Sequence, residues 1–232
     1  MDRTLKFLKQ NIKEEPTRII DVCCGSGDLV GALSSYFPHS TVYGLDIDRS
    51  LLANGIAKGN FKRAFPIHGN AYHLGEENND FTSIHLKPEY FSKGYVDWMK
   101  TKHRRLKKPL KNFDMITTVN PASELSPAEI NKLIGKEKLD KDRGFIPLDI
   151  ISIPAKKGGH VLYATEIANV YAGIYGGLIP QNVNEKIVED YLAEMKKEGE
   201  KTGLNYVSYD LEKIRSSGHD HSVNLGVLFK KL

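Results

Sequence analysis

The sequence predicts an α/β fold, a mostly parallel sheet with helices on both faces, and three observations predict it. The first is the stretch Arg18-Ile-Ile-Asp-Val22, a short apolar run that feeds a glycine-bearing turn and then Leu29, Ala32, Leu33 and Tyr36 at helical spacing, closed by Pro38. The second is that strand-length apolar runs recur at residues 41–47, 64–68, 113–119 and 160–165, with helix-like segments between them. The third is size: 232 residues with 40% hydrophobic content bury one sizeable core and leave little room for a second. A single domain over residues 1–232 is therefore expected.

Residues 4–13 carry Leu, Phe, Leu and Ile among lysines at helical spacing, which predicts a short amphipathic helix covering one end of the sheet. It is too short to be a substrate-binding domain. The first residues lack the apolar run of a signal peptide and no stretch reaches the length of a membrane span, so a soluble, cytoplasmic protein without a membrane partner is expected. The two cysteines, Cys23 and Cys24, are adjacent. Read as part of the strand, they point to opposite faces and cannot bridge each other, which fits a reducing compartment and gives no zinc site.

The turn after the first strand narrows the ligand. Gly25 and Gly27 allow a sharp bend and a close approach of backbone to ligand. The dinucleotide pattern Gly-x-Gly-x-x-Gly is not met, because Val30 stands where the third glycine belongs and Gly31 follows one residue late. Asp28 falls at the helix N-terminus, where a carboxylate competes with phosphate for free N–H groups and the positive end of the dipole. Asp21, beside the same turn, suits a ligand with positive charge.

Asp21-Val-Cys-Cys-Gly-Ser-Gly-Asp28, followed by Val42-Tyr-Gly-Leu-Asp46-Ile-Asp48, resembles the opening motifs of the class I S-adenosylmethionine-dependent methyltransferases. The cofactor of that family carries an ammonium and a sulfonium and no phosphate. The resemblance implies the Rossmann-like class I fold: seven strands in the order 3-2-1-4-5-7-6, helices on both faces and a C-terminal antiparallel hairpin. It also implies S-adenosylmethionine as cofactor, held by Asp21, Cys23, Gly25, Gly27, Asp46, Ile47, Asn70, Ala71 and Asn120. In this family Asp46, 25 residues after Asp21, would hold the ribose hydroxyls, and Ile47 would pack on the adenine. Gly69-Asn70-Ala71 resembles the motif that reads the adenine edge, with Asn70 in place of the usual acid; an amide both accepts and donates. Cys23 replaces the family's first glycine, a variant familiar from quinone-ring methyltransferases. By motif, the resemblance covers residues 18–75.

Residues 76–112 form an insertion between the third and fourth strands, longer than the family's usual connecting helix. From His85 to Asn112 there are nine basic residues against two acidic ones, a local charge of +7, while the remainder of the chain sums to −3. Tyr90, Phe91, Tyr95 and the single tryptophan, Trp98, lie among them. Cations interleaved with aromatic rings are what a nucleic-acid strand needs for phosphate contact and stacking, so Trp98, Arg104, Arg105, Lys107 and Lys108 are candidate substrate contacts. The competing reading makes the aromatics core anchors of an inserted helix and the lysines its solvated face.

The fourth strand, Phe113 to Val119, ends in Asn120-Pro121 at the carboxyl edge, where open α/β sheets bind ligands. Methyltransferases with an Asn-Pro-Pro-aromatic motif hold a planar amine there. Ala122 and Ser123 occupy the last two positions here, so only Asn120, the candidate catalytic residue, and Pro121, a candidate substrate contact, match that motif. An Asn-Pro turn that merely ends a strand is the alternative. Ser126-Pro127-Ala-Glu129 is a capping box opening a helix through Ile130, Leu133 and Ile134. Residues 145–153 are apolar, and Lys156-Lys-Gly-Gly159 predicts a turn into the fifth strand at residues 160–165. His73 and Glu166 are the candidates for a base near the expected cofactor rim, though a surface role is the commoner explanation for each and neither is counted as catalytic. Residues 171–177 are rich in glycine and tyrosine and read as a cover for the site. Asn182 would cap a helix with Val183, Ile187, Val188, Tyr191, Leu192 and Met195 in one stripe, and residues 206–214 and 222–229 would form the closing hairpin. His219-Asp220-His221 falls in its connection and reads as an exposed turn.

Three functions follow from this pattern. The leading one is a methyltransferase acting on RNA, DNA or a nucleic-acid-associated protein. The others are a small-molecule methyltransferase and a non-catalytic cofactor-binding module that supports a partner.

Overall fold

The computed structural model describes residues 2–76, 80–91, 96–98, 101–119, 148–166, 185–216 and 219–232. Helix α1 (Asp2–Asn11) precedes β1 (Arg18–Val22), α2 (Asp28–Tyr36), β2 (Thr41–Asp46), α3 (Arg49–Lys58) and β3 (Ala64–His68). Strands β4 (Thr82–His85), β5 (Lys102–Arg105) and β6 (Phe113–Val119) follow, then α4 (Leu148–Ser152), β7 (Ala155–Glu166), α5 (Glu185–Lys201), β8 (Leu204–Ser216) and β9 (His219–Lys231).

Among the described residues nine strands form one sheet in the order β5-β4-β3-β2-β1-β6-β7-β9-β8. Strands β3, β2, β1, β6 and β7 run parallel, and β9 and β8 close the far side antiparallel. The seven strands from β3 to β8 keep the predicted order 3-2-1-4-5-7-6. The count of seven is corrected to nine, because the insertion supplies β4 and β5, which add antiparallel to the β3 edge. An inserted helix is likewise corrected: the described part of the segment holds two strands and a 3-10 turn, Pro88–Phe91. The open edge of β3 supplied backbone partners for a segment with no apolar period of its own.

Strand β1 sits at the middle, with parallel neighbours on both sides and Ile19, Ile20 and Val22 fully buried, the expected pattern for a strand covered on both faces. On one face α1, α2 and α3 enclose Leu8, Val30, Leu33, Leu52, Ile56 and Phe61. The other face carries Ile20, Phe113, Ile116 and Phe229, with Ile151 of α4 and Val188, Tyr191, Leu192 and Met195 of α5 packed on it, four of the six residues of the predicted stripe; Val183 and the side chain of Ile187 lie outside the described residues.

Local signals mostly hold. Asp48 caps α3, accepting from the amides of Ser50 and Leu51, and β3 and β6 have the predicted bounds. Three local expectations change. The Lys156–Gly159 turn lies inside β7, where a bulge lets Ala155 pair with Phe113 before His160 pairs with Met115. His219 opens β9 rather than sitting in a loop, because the hairpin pairs almost to its tip, Ser216 with His219. Cys23 and Cys24 lie in the turn after β1 rather than on the strand, and both are free thiols. Asn120, Pro121, the capping box at Ser126, residues 171–177 and Asn182 lie outside the described residues, as do Tyr95 and the side chain of Glu166.

Candidate functional site

The carboxyl ends of β1, β2 and β3 meet at the glycine turn, and the turn is held by Asp46. Its Oδ2 accepts from the Gly25 amide at 2.7 Å and its Oδ1 from the Asp48 amide at 2.8 Å. Its own carbonyl accepts from Gly69, and the Leu45 carbonyl accepts from Cys24. One carboxylate thus ties the end of β2 to the turn after β1, while lone pairs on both oxygens stay available to hydroxyl donors.

The turn has the backbone that its residue types imply. Gly25 and Gly27 adopt φ of +54° and +73°, and Cys23 adopts φ of +59°. Cys23 therefore sits in the left-handed conformation that makes glycine the ordinary occupant of its position. A Cβ on Gly25 would meet only Leu51 Cδ1, at 4.0 Å, so the space above this residue is open. The space below Gly27 is full: a Cβ there would stand 2.5 Å from the ring of Phe61.

Phe61 is fully buried and fills a slot walled by glycines. A Cβ on Gly44 of β2 would lie 2.9 Å from the Phe61 ring, and one on Gly55 of α3 would lie 1.9 Å from the Ser26 carbonyl oxygen. The sequence reading gave these glycines and Phe61 no role. An isolated glycine inside a strand or helix pattern marks close backbone approach, and that is the signal by which they could have been found.

Asp21 lies on β1 facing β6. Its carboxylate is buried and accepts from the Thr117 hydroxyl at 2.7 Å, a partner that only the parallel pairing of β1 with β6 brings within reach. Burial raises its pKa from 3.8 to about 7; the Thr117 hydrogen bond opposes this and the like charge of Asp46 adds to it. Asp46 is raised as well, chiefly by burial. Among the described residues no cation figures in the electrostatics of Asp21. The same burial and the two acids push both cysteine thiols well above their usual range, so neither is a nucleophile here.

Asp28 stands at the start of α2, as expected. It accepts from the Ser26 hydroxyl at 2.7 Å and from Asn60 Nδ2 at 2.9 Å, and the Ser26 bond heads the causes that hold it below the ordinary carboxylate range. The helix N-terminus is therefore already supplied with negative charge. Beyond β3, Asn70 is buried and its Oδ1 accepts from the Tyr72 amide, opening the 3-10 turn Ala71–His73. Ile47, half-buried, follows Asp46. His73 faces Asp80 at 3.3 Å.

The structure thus gathers Asp21, Cys23, Gly25, Gly27, Asp46, Ile47, Asn70 and Ala71 along one stretch of sheet edge. Trp98, Arg104, Arg105, Lys107 and Lys108 lie apart from them, on the β5 side of the sheet. Trp98 reaches back, its ring 5.6 Å from that of His68 at the end of β3.

Residues 19–108 match the family model described as a methyltransferase domain. The demethylmenaquinone methyltransferase of Anoxybacillus flavithermus is 35% identical over 81 residues, 33% of this chain and 34% of that protein. That of Shouchella clausii is 36% identical over a stretch of the same length. The chain spans about a third of the length of these curated relatives. Among solved structures, magnesium protoporphyrin IX methyltransferase from Synechocystis PCC 6803 with bound SAH superposes with a TM-score of 0.54 at 11% identity, over 100% of this chain and 81% of that one. M. jannaschii TYW2 in complex with AdoMet gives 0.51 at 16% identity, over 100% and 76%. At these identities the likeness shows the fold, which is the Rossmann-like methyltransferase fold.

Proposed function

We propose that this chain, whose fold is that of the class I methyltransferases, binds S-adenosylmethionine at the glycine turn and transfers its methyl group. One observation carries the proposal. A buried carboxylate, Asp21, lies beside an open glycine turn with a second acid nearby, and burial has raised its pKa to about 7. A ligand with positive charge and no phosphate answers that arrangement, because it supplies the charge that makes ionised Asp21 tolerable. Asp28 at the head of α2 argues in the same direction, against a pyrophosphate.

The residues fit the group. The open face of Gly25 would take the amino-acid portion, Asp46 has lone pairs that would accept from the ribose hydroxyls, and Ile47 with the Asn70–Ala71 turn would flank the base. Bound S-adenosylmethionine supplies an already activated methyl group, so the protein needs chiefly to orient it and exclude water. Asp21, which accepts from the Thr117 hydroxyl on the side of the turn facing β6, would meet the positive charge of the ligand, and the acceptor would come from the carboxyl ends of β1 and β6.

For the acceptor, the basic segment favours RNA, DNA or a nucleic-acid-associated protein, since Lys102, Arg104 and Arg105 of β5 are exposed. A second reading, a small aromatic acceptor, is favoured by the names of the curated relatives, whose similarity is confined to 81 residues. Calorimetry with S-adenosylmethionine, S-adenosylhomocysteine, NAD and ATP tests the cofactor; heat with the last two and none with the first two overturns it. Transfer of a radiolabelled methyl group to separated RNA, DNA, protein and metabolite fractions then tells the acceptors apart.

A further inference from the structure

The register of the sheet links the candidate cofactor site to the basic strand. Asp46 pairs with His68, His68 with Thr82, and Thr82 with Arg105. Residues paired directly across strands point to the same face, so these four side chains form one row running from the ribose acid to the outermost strand. At about 4.8 Å per strand the row is about 14 Å long, and β1, with the methyl-accepting side, lies about 19 Å from β5.

Trp98 stands beside this row. Its ring lies 5.6 Å from that of His68 and 4.7 Å from that of His103 on β5. His103 is in turn anchored: its Nε2 is 2.5 Å from the Thr101 hydroxyl and 3.2 Å from the Trp98 carbonyl oxygen. Trp98 is half-buried, packed against the core on the α2 and α3 face. All four β5 residues, Lys102, His103, Arg104 and Arg105, are exposed, and Lys107, Lys108 and Lys111 continue the positive charge. Successive residues of a strand face opposite ways, so this outer edge carries cations on both faces.

We propose that β5 and Trp98 form a docking track for a single-stranded nucleic acid, with the phosphates on the β5 cations and a base against the half-buried Trp98. The proposal rests on the methyltransferase reading and specifies its substrate. A single strand fits because an unpaired base can stack on a lone ring such as Trp98, and the β5 cations follow a line. A membrane surface does not fit, since β5 has no apolar side chain to enter a lipid interface. Because the track lies on the adenine side, away from the accepting position, a substrate must span both. At about 3.4 Å per stacked nucleotide, 19 Å corresponds to about six nucleotides between the docked base and the target. Acceptors shorter than that reach one site or the other.

The single tryptophan makes the test direct. Fluorescence of Trp98 is titrated with an oligouridylate of about twelve nucleotides and with a uridine dinucleotide over a series of salt concentrations, while S-adenosylhomocysteine affinity is measured separately by calorimetry. The longer strand is expected to quench the emission, and the dinucleotide to bind at least tenfold more weakly. With about four phosphates neutralised, log affinity should fall against log salt with a slope near −3. The Arg104→Glu/Arg105→Glu and Lys107→Glu/Lys108→Glu pairs should each weaken the longer strand at least tenfold and flatten the slope, leaving S-adenosylhomocysteine affinity unchanged. The proposal is overturned by any of three results: no binding of the longer strand by a protein that binds S-adenosylhomocysteine, wild-type affinity for the longer strand in both variants, or a larger response to phosphatidylserine vesicles. The cations would then serve to keep the outer strand from pairing with other chains. Loss of S-adenosylhomocysteine binding with the quench retained would instead sink the methyltransferase reading and leave the track standing.

Discussion

Replacing Asp21 with asparagine separates the cost of burying its charge from the use of that charge. The side chain keeps its shape and its oxygen still accepts from Thr117, so the substitution removes little but the titration. A carboxyl raised from 3.8 to about 7 stabilises the fold fully below the unfolded value, and this contribution is lost as pH rises through the folded one. At about 1.4 kcal/mol per pH unit, ionised Asp21 costs the apo-protein about 4 kcal/mol at pH 8, and roughly 2.5 kcal/mol of that appears between pH 5 and pH 8. Urea unfolding at a series of pH values is the assay. Wild type should lose that amount over the interval relative to Asp21→Asn, which should be the more stable protein at pH 8. The variant should also bind S-adenosylmethionine about a hundredfold or more weakly, since it leaves a buried cation unpaired. Calorimetry at pH 6 in two buffers of different ionisation heat should show wild type releasing nearly one proton on binding and the variant releasing none. Parallel stability profiles for the two proteins would refute the reasoning, because Asp21 would then already be ionised without strain.

Thr117→Val removes the hydrogen bond that lowers the Asp21 pKa, so the pH midpoint of wild-type stability should move upward, read from the same urea series. Asp46→Asn should act with the opposite sign to Asp21→Asn: it puts an amide where the amides of Gly25 and Asp48 both need acceptors, and should cost about 1.5–3 kcal/mol at neutral pH as well as cofactor affinity. Gly55→Ala forces a methyl group to within 1.9 Å of the Ser26 carbonyl oxygen. It should destabilise by at least about 1–3 kcal/mol and disturb the turn, measured as a lower melting temperature with weakened S-adenosylhomocysteine binding.

Much of the frame was legible along the chain because it depends on neighbours in sequence. The glycine turn, the Asp48 cap, the α5 stripe and the strands β3 and β6 are each specified by side chains a few residues apart, and each appears where its spacing predicts. The acid at the end of β2 was legible for the same reason. The insertion was not: its charge and aromatic content were plain, but charge does not encode pairing, and β4 and β5 exist because β3 left an edge to complete. Its bland reading was half right, since Tyr90 and Val96 are buried against the α2 and α3 face while the cations remain in solvent. The cysteines were misplaced because the strand ends at Val22, where the turn takes over the backbone.

By itself the sequence determined the class of fold and a glycine turn flanked by acids, since local periodicity and residue chemistry are written in consecutive positions, while the order of seven of its strands followed from the resemblance to the class I methyltransferases. The tertiary structure decided what surrounds that turn: Thr117 from a strand 96 residues away lying on Asp21, Phe61 in its glycine slot, and a row from Asp46 to Arg105. These depend on parallel register and on backbone approach between distant segments, and a linear chain carries no distance between residues until the sheet has formed.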